Sequence, residues 1–156
     1  MPHIHEKIDF TAEVFILYQN KVLLRKHDKY KKWLSVGGHI ELDEDPNQAA
    51  VREVKEEVGL EVQLYHDSSY QSVEQQGYKE LIPPEFMNIH RINDTHQHIT
   101  LVYFAKSNTD QLVLSKDEKS DECKWFTKDE LDKPQYGISE VIKKYAKTAL
   151  EKSAKP

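Results

Sequence analysis

Three glutamates and one arginine, Arg52, Glu53, Glu56 and Glu57, fall within a six-residue stretch that reads REVKEE. On a helix turning ~100° per residue, with Ala50 set at zero, the glutamates share one arc of roughly 240–340°. Glu53 and Glu57 are then i,i+4 neighbours, and Glu53 and Glu56 are i,i+3. Like charges at these spacings each cost roughly a few tenths of a kcal/mol in an isolated helix. The helix dipole does not compensate, because acids are favoured in the first turn and not towards the C-terminus. A divalent cation among the side chains would remove the repulsion, and oxygen-only ligands suit Mg²⁺, Mn²⁺ or Ca²⁺. Arg52 can pair with Glu56 at i,i+4 and hold a carboxylate in one rotamer. A solvated acidic face is the competing reading of these residues taken alone.

The helix that must carry them has clear ends. Asp45 can cap it, Pro46 fits its first position, Gln48 can complete a capping box, and Gly59 supplies a stop after Val58. Val51, Val54 and Val58 fall at roughly 40–100° on the same wheel and are the face expected to pack on a sheet. Ahead of this helix, residues 9–18 and 21–26 read as a hairpin turning at Gln19-Asn20, and residues 33–36 as a short strand broken by Gly37-Gly38. After it, residues 61–65, 99–105, 112–114 and 123–126 read as strands. Residues 66–94 are polar, contain Pro83-Pro84, and read as an irregular excursion able to serve as a lid or substrate-facing loop. Thr127 with Glu130 can open a short helix, and residues 138–150 form a closing helix with Ile138, Val141, Ile142, Tyr145 and Leu150 as its apolar side. Residues 151–156 read as a frayed tail. Strands on both sides of the main helix and a helix at the end predict an α/β (α+β) fold, a mixed sheet with helices packed on it, in one domain over residues 1–156.

Residues 38–60, GHIELDEDPNQAAVREVKEEVGL, put five residues between Gly38 and Glu44, and seven between Glu44 and Arg52-Glu53. Val54, Glu56-Glu57, Gly59 and Leu60 complete the pattern. This stretch resembles the complete signature box of the Nudix (MutT-like) hydrolases, with every specified position matched. The flanks, Trp33 to Val36 before the box and Trp125-Phe126-Thr127 after it, are similar to the family as well. The resemblance implies an α/β/α sandwich around a mixed sheet. It also implies metal-dependent hydrolysis of a phosphate–phosphate bond in a nucleoside diphosphate-linked substrate, by attack of water at phosphorus. Carried over, Glu53, Glu56, Glu57 and the Gly38 carbonyl hold Mg²⁺ or Mn²⁺, Arg52 orients Glu53 or its neighbour, and Glu44 supports the loop. Glu53 is the favoured general base; since the family also recruits this group from loops, Glu118 and Glu122 are kept as alternatives. A nucleoside triphosphate or similar small nucleotide is the expected substrate, with nucleotide sugars or dinucleoside polyphosphates as the alternative. A non-catalytic nucleotide-sensing module is a third reading, weakened because all four box glutamates are present.

Less of the chain speaks to specificity. Trp33 could stack on a base or belong to the core, and Tyr70, Tyr78 and Phe86 could line a pocket. Tyr78 lies 18 residues beyond Leu60, a spacing that resembles the dinucleoside-polyphosphate branch. His3 with His5, and His96 with His98, each have the i,i+2 spacing that puts two rings on one face of a strand. Zinc binding, a phosphate contact, or plain polar strand positions all fit that spacing. The basic loop 26–32 could meet an anionic substrate or solvent. A net charge of −5 with mixed signs argues against a stable nucleic-acid complex, though not against a small anion held through a metal. One cysteine, Cys123, excludes an internal disulfide, and no apolar run approaches a membrane span. A cytoplasmic monomer or homodimer is the expectation.

Overall fold

The β-branched and aromatic residues at the start of the chain build a hairpin, as their pattern requires. The structure, a computed structural model, describes residues 3–115 and 122–154. β1 (Ile8–Tyr18) and β2 (Lys21–His27) pair antiparallel, with Gln19 in the turn at φ 52. A tight hairpin turn needs positive φ, which Gln19 accepts at some cost. The chain then runs through β3 (Lys32–Leu34), which pairs with β2, and β4 (Val36–His39), which pairs with β1. This ribbon passes from one strand to the other at Ser35 and wedges β1 and β2 apart.

α1 (Pro46–Val58) follows, then β5 (Val62–Leu64), a small hairpin of β6 (Glu74–Gln75) and β7 (Tyr78–Lys79), and the paired strands β8 (Phe86–Asn93) and β9 (His96–Ser107). β10 (Glu122–Phe126) and α2 (Glu140–Ser153) complete the described strands and α-helices. The main sheet has eight strands with the order β10-β2-β1-β9-β5 along its principal path. β1 and β9 run parallel from Ile8↔Gln97 to Leu17↔Lys106, and the sheet's other described pairings are antiparallel, so it is mixed.

Alternation along β1 sends Ala12, Val14 and Ile16 to one face, where they meet Ala49, Ala50, Val54 and Val58 of α1. Phe15 and Leu17 go to the other, where Phe104, Phe126 and the α2 residues Tyr145, Ala146, Ala149 and Leu150 cover them. Each large apolar side chain buried in these two layers contributes about 1.5–3 kcal/mol. One helix on each face gives the expected α/β/α order.

α1 begins and ends as its residues dictate. Asp45 accepts from the Gln48 backbone N–H, the Gln48 side chain accepts from the Asp45 N–H, and Gly59 closes the helix at φ 74. Its buried face differs from the expected one. Val51 is 38% exposed, and Glu53 and Glu57 are buried in the arc beside Ala49 and Ala50. The rotation brings the acids, not the third valine, against the sheet.

Four other expectations are corrected. Residues 112–114 form no strand; the Val113 N–H donates to the Val58 carbonyl at 2.9 Å, and its side chain fills the space beside Gly59. The latter part of 66–94 is regular: β8 pairs with β9 along its length. Its apolar residues Met87 and Ile89 face outward at an edge, so they trace no buried face in the sequence. On α2, Val141 is exposed while Ala146 and Ala149 are buried. Residues 151–153 are not frayed but remain helical, and the Lys152 ammonium pairs with Glu85; residues 155–156 lie outside the described residues. Thr127 and Glu130 do exchange the anticipated reciprocal bonds, around a 3-10 turn over Glu130–Asp132. No helix among the described residues is long and apolar enough to cross a membrane.

Candidate active site

Arg52 is the hub of the acidic cluster. Its Nε and Nη2 donate to the two oxygens of Glu44 at 2.9 and 2.6 Å. Nη1 donates to Glu53 Oε1 at 3.0 Å and Glu56 Oε2 at 3.1 Å, and Nη2 also donates to the His39 carbonyl at 3.1 Å. A guanidinium has five N–H groups in a rigid fork, and these five contacts use that capacity fully. The Glu41 N–H in turn donates to Glu44 Oε1, so the loop between β4 and α1 is held to the helix through this one arginine. The Arg52 hydrogen bonds hold the Glu44 carboxyl below the ordinary range. Arg52→Lys keeps the charge but loses the fork. It is expected to cost about 2–3 kcal/mol in urea unfolding, the scale of a few charge-assisted bonds, and to reduce activity as Glu53 loses its anchor.

Glu53 and Glu57 lie side by side, 4% and 7% exposed. Burial raises the Glu53 carboxyl above its ordinary value, and burial raises Glu57 to about 9 against the opposing pull of Arg25. Arg25 Nη1 approaches Glu57 Oε2 to 2.9 Å as an ion pair, yet Oε2 is fully buried and makes no hydrogen bond. Behind them stands Glu13, in the wedge where the β3–β4 ribbon separates β1 from β2. The residue keeps some exposure, but protein atoms enclose its carboxyl; that burial raises it to about 7, and Ser35 Oγ donates to it at 2.8 Å. Glu56 stays outside, its side chain 61% exposed. Three crowded carboxyls meet two arginines, Arg25 at Glu57 and Arg52 at Glu53, and Arg52 is shared with Glu44 and Glu56, so buried acid is in surplus.

Gly38 forms the wall opposite Glu53. A Cβ at this position would lie 2.5 Å from Glu53 Oε1, so only glycine lets the carboxylate stand against β4. The crowded Glu53 and Glu57 carboxyls, the glycine cradle and the all-oxygen donor set fit a hard divalent cation. Gly38→Ala is expected to displace Glu53 and weaken Mn²⁺ binding at least about tenfold, the loss typical when ligand support is disturbed. Paramagnetic relaxation of water measures this directly.

The sequence model of the NUDIX domain family matches residues 9–146 of this chain. The chain is a Nudix family member. It is similar to a Nudix family hydrolase from Clostridium perfringens, with 36% identity and a TM-score of 0.81 over 93% of this chain and 97% of that one. A MutT Nudix hydrolase from Burkholderia pseudomallei, 18% identical over 94% of this chain and 98% of that one, has a TM-score of 0.62. The E. coli ORF135 protein is likewise 18% identical with a TM-score of 0.62, over 99% of this chain and 96% of that one. These last two likenesses speak to the fold. As a Nudix hydrolase the chain is a pyrophosphohydrolase of a family that depends on divalent metal.

Around the Nudix cluster the other singled-out residues sort clearly. Trp33 is a core aromatic, 5% exposed and edge-on to Phe126 and Tyr136. Phe86 packs on Tyr145 beneath α2. Tyr70 donates to the Glu80 carbonyl, and Tyr78 stands exposed on the β6–β7 hairpin. Asn47 ties this excursion to the start of α1, donating to the Ile82 carbonyl and accepting from the Ile82 N–H. Glu122 is exposed opposite Lys26, and Glu118 lies outside the described residues. In the basic loop, Lys31 pairs with Asp28. Cys123 is partly buried against the α1-side core.

The histidine pairs part company. His96 and His98 share a face with His3, while His5 contributes only its backbone N–H, to Asp9 Oδ1. Burial together with the neighbouring imidazoles pushes His98 down to about 4. Sequence reasoning missed Glu13, Arg25, Ser35 and Asp9. A glutamate in the otherwise apolar run AEVFIL was the available signal for Glu13, since an acid amid strand-core residues needs a partner.

Proposed function

We propose that this Nudix hydrolase cleaves the phosphate–phosphate bond of a nucleoside diphosphate-linked substrate, a nucleoside triphosphate or similar small nucleotide. Mg²⁺ or Mn²⁺ would be held by Glu53, Glu56, Glu57 and the Gly38 carbonyl. The observation that carries this reading is the side-by-side burial of two carboxyls, Glu53 and Glu57, with Glu53 set against the Gly38 cradle. Bound divalent cations would neutralise the diphosphate and acidify a water.

The chain's own residues supply position. Arg52 fixes the Glu53 rotamer, Glu44 braces Arg52, and Arg25 offsets the charge of Glu57. Glu53, anchored through Oε1, is the favoured acceptor of the water proton. Glu56, half in solvent beside Arg52, completes the ligand set on the open side. Incubation with Mg²⁺ or Mn²⁺ and a panel of nucleoside triphosphates, nucleotide sugars, ADP-ribose and dinucleoside polyphosphates tests the proposal. Release of phosphate or pyrophosphate from the triphosphates, faster than from the other classes, is expected. Preference for a sugar or dinucleoside class would transfer the assignment to that branch, and inertness of the folded protein towards every class with both metals would overturn it.

A further inference from the structure

At the end of the sheet where β1 begins, the parallel register sets Asp9 opposite His98, with His96 two residues earlier on β9 and on the same side. The segment before β1 folds back and lays His3 over them, its ring centroid 3.7 Å from that of His96. Asp9 is wholly buried, and its two oxygens accept from the His5 N–H at 2.6 Å and the Ile4 N–H at 3.1 Å. His3 Nδ1 lies 3.1 Å from Asp9 Oδ2, and His96 Nε2 lies 3.3 Å from the same oxygen. One ligand atom from each of His3, Asp9, His96 and His98 falls within 4.8 Å of all the others. A tetrahedral ion with bonds of roughly 2.0 Å has ligand–ligand edges of about 3.3 Å, so the two measured edges already match such a site.

His96 provides the independent observation. Its Nδ1 sits 3.0 Å from the Glu6 carbonyl. A carbonyl only accepts, so Nδ1 carries the proton and Nε2 of the neutral ring presents a lone pair. That nitrogen is buried in a residue 3% exposed, points at the cluster, and has no hydrogen-bond partner. A lone pair facing a carboxylate oxygen at 3.3 Å is repulsive unless a proton or a metal ion stands between them. The Glu6 contact is also the outer-shell bond that fixes the tautomer of a metal-ligating imidazole. His39, whose Nε2 is 3.3 Å from Asp9 Oδ2 and 3.4 Å from His98 Nε2, adjoins the four.

We propose that His3, Asp9, His96 and His98 form a second metal site, selective for a borderline transition ion of the zinc class, distinct from the glutamate site of α1. Three imidazoles and one carboxylate suit zinc and disfavour magnesium, which prefers oxygen ligands in octahedral geometry. The ion would staple the segment before β1 onto β9, adding structure and not chemistry.

The test uses the whole chain, stripped with a chelator and titrated with Zn²⁺ against a chromogenic competitor in excess Mg²⁺. One zinc per chain is expected. The exposed ligand variant His3→Ala should bind at least about tenfold more weakly, and His98→Gln should lose the site. The double variant Glu53→Gln/Glu57→Gln should keep it. Cobalt in place of zinc should give the intense visible absorption of a tetrahedral site, lost in both histidine variants. Absent zinc uptake, uptake indifferent to both histidine changes, or uptake abolished by the glutamate changes would each overturn the proposal. If circular dichroism shows that His98→Gln does not fold, His3→Ala decides.

Discussion

Glu53→Gln and Glu57→Gln are each expected to lower turnover at least about a hundredfold at saturating Mg²⁺, equivalent to roughly 2.7 kcal/mol of barrier. Both replacements keep the shape of the side chain and remove its charge. Glu53 is the carboxylate that Arg52 holds at 3.0 Å and that Gly38 accommodates, so its geometry survives while its ability to ligate a cation or accept a proton does not. Glu57 is buried beside it and ion-paired with Arg25, and an amide there lacks the charge that would hold a divalent ion. Steady-state kinetics on the preferred substrate, with circular dichroism to show an intact fold, measures the effect. Wild-type turnover in both variants would remove the glutamates from the mechanism.

The second large effect concerns stability and its dependence on pH. Burial raises Glu57 to about 9 in the folded chain, from an ordinary 4.5. Between these values the folded state binds more protons than the unfolded state, so stability falls as pH rises through the window. Glu13, raised to about 7 by burial, adds a contribution of the same sign over a narrower range. In chelator, the thermal midpoint should therefore decline from about pH 7 towards pH 9, by about 2–4 °C for each kcal/mol lost; below that range His98, pushed down to about 4 by burial and the neighbouring imidazoles, contributes with the opposite sign. Mn²⁺ should restore the midpoint at the alkaline end, because an ion replaces the missing proton. Glu57→Gln should be the more stable protein in chelator near pH 9, with a flatter profile and a much smaller response to Mn²⁺. Glu130 works in the opposite direction. The Thr127 backbone N–H and the Lys124 ammonium hold it down to about 2, and that stability is lost only as pH falls below the ordinary carboxylate range. The two limbs do not overlap. A midpoint that rises between about pH 7 and pH 9 without metal would contradict the buried acid pair.

The parts of this protein legible in its residues are those whose partners lie close along the chain. Asp45, Gln48 and Gly59 bound α1 through contacts three or four residues long, and the β1–β2 hairpin closes over two residues. The spacing from Gly38 to Leu60 carried the family, because one loop and one helix hold nearly all of that signature. Arg52 and Glu56 met as i,i+4 neighbours. Even here the rotation of α1 escaped, since Val51 and Glu57 flank Ala50 on opposite sides and only the sheet determines which is buried.

The sequence by itself determined the helix, its caps, the order of acids along it and hence the family chemistry. Tertiary structure alone decided that Glu13 and Arg25 stand behind those acids, that Trp33 belongs to the core, and that three histidines converge on Asp9. Those meetings depend on the wedge between β1 and β2 and on the register that pairs Asp9 with His98. A shift of one residue in that register would turn every side chain to the opposite face, and no short turn joins β1 to β9 to fix it.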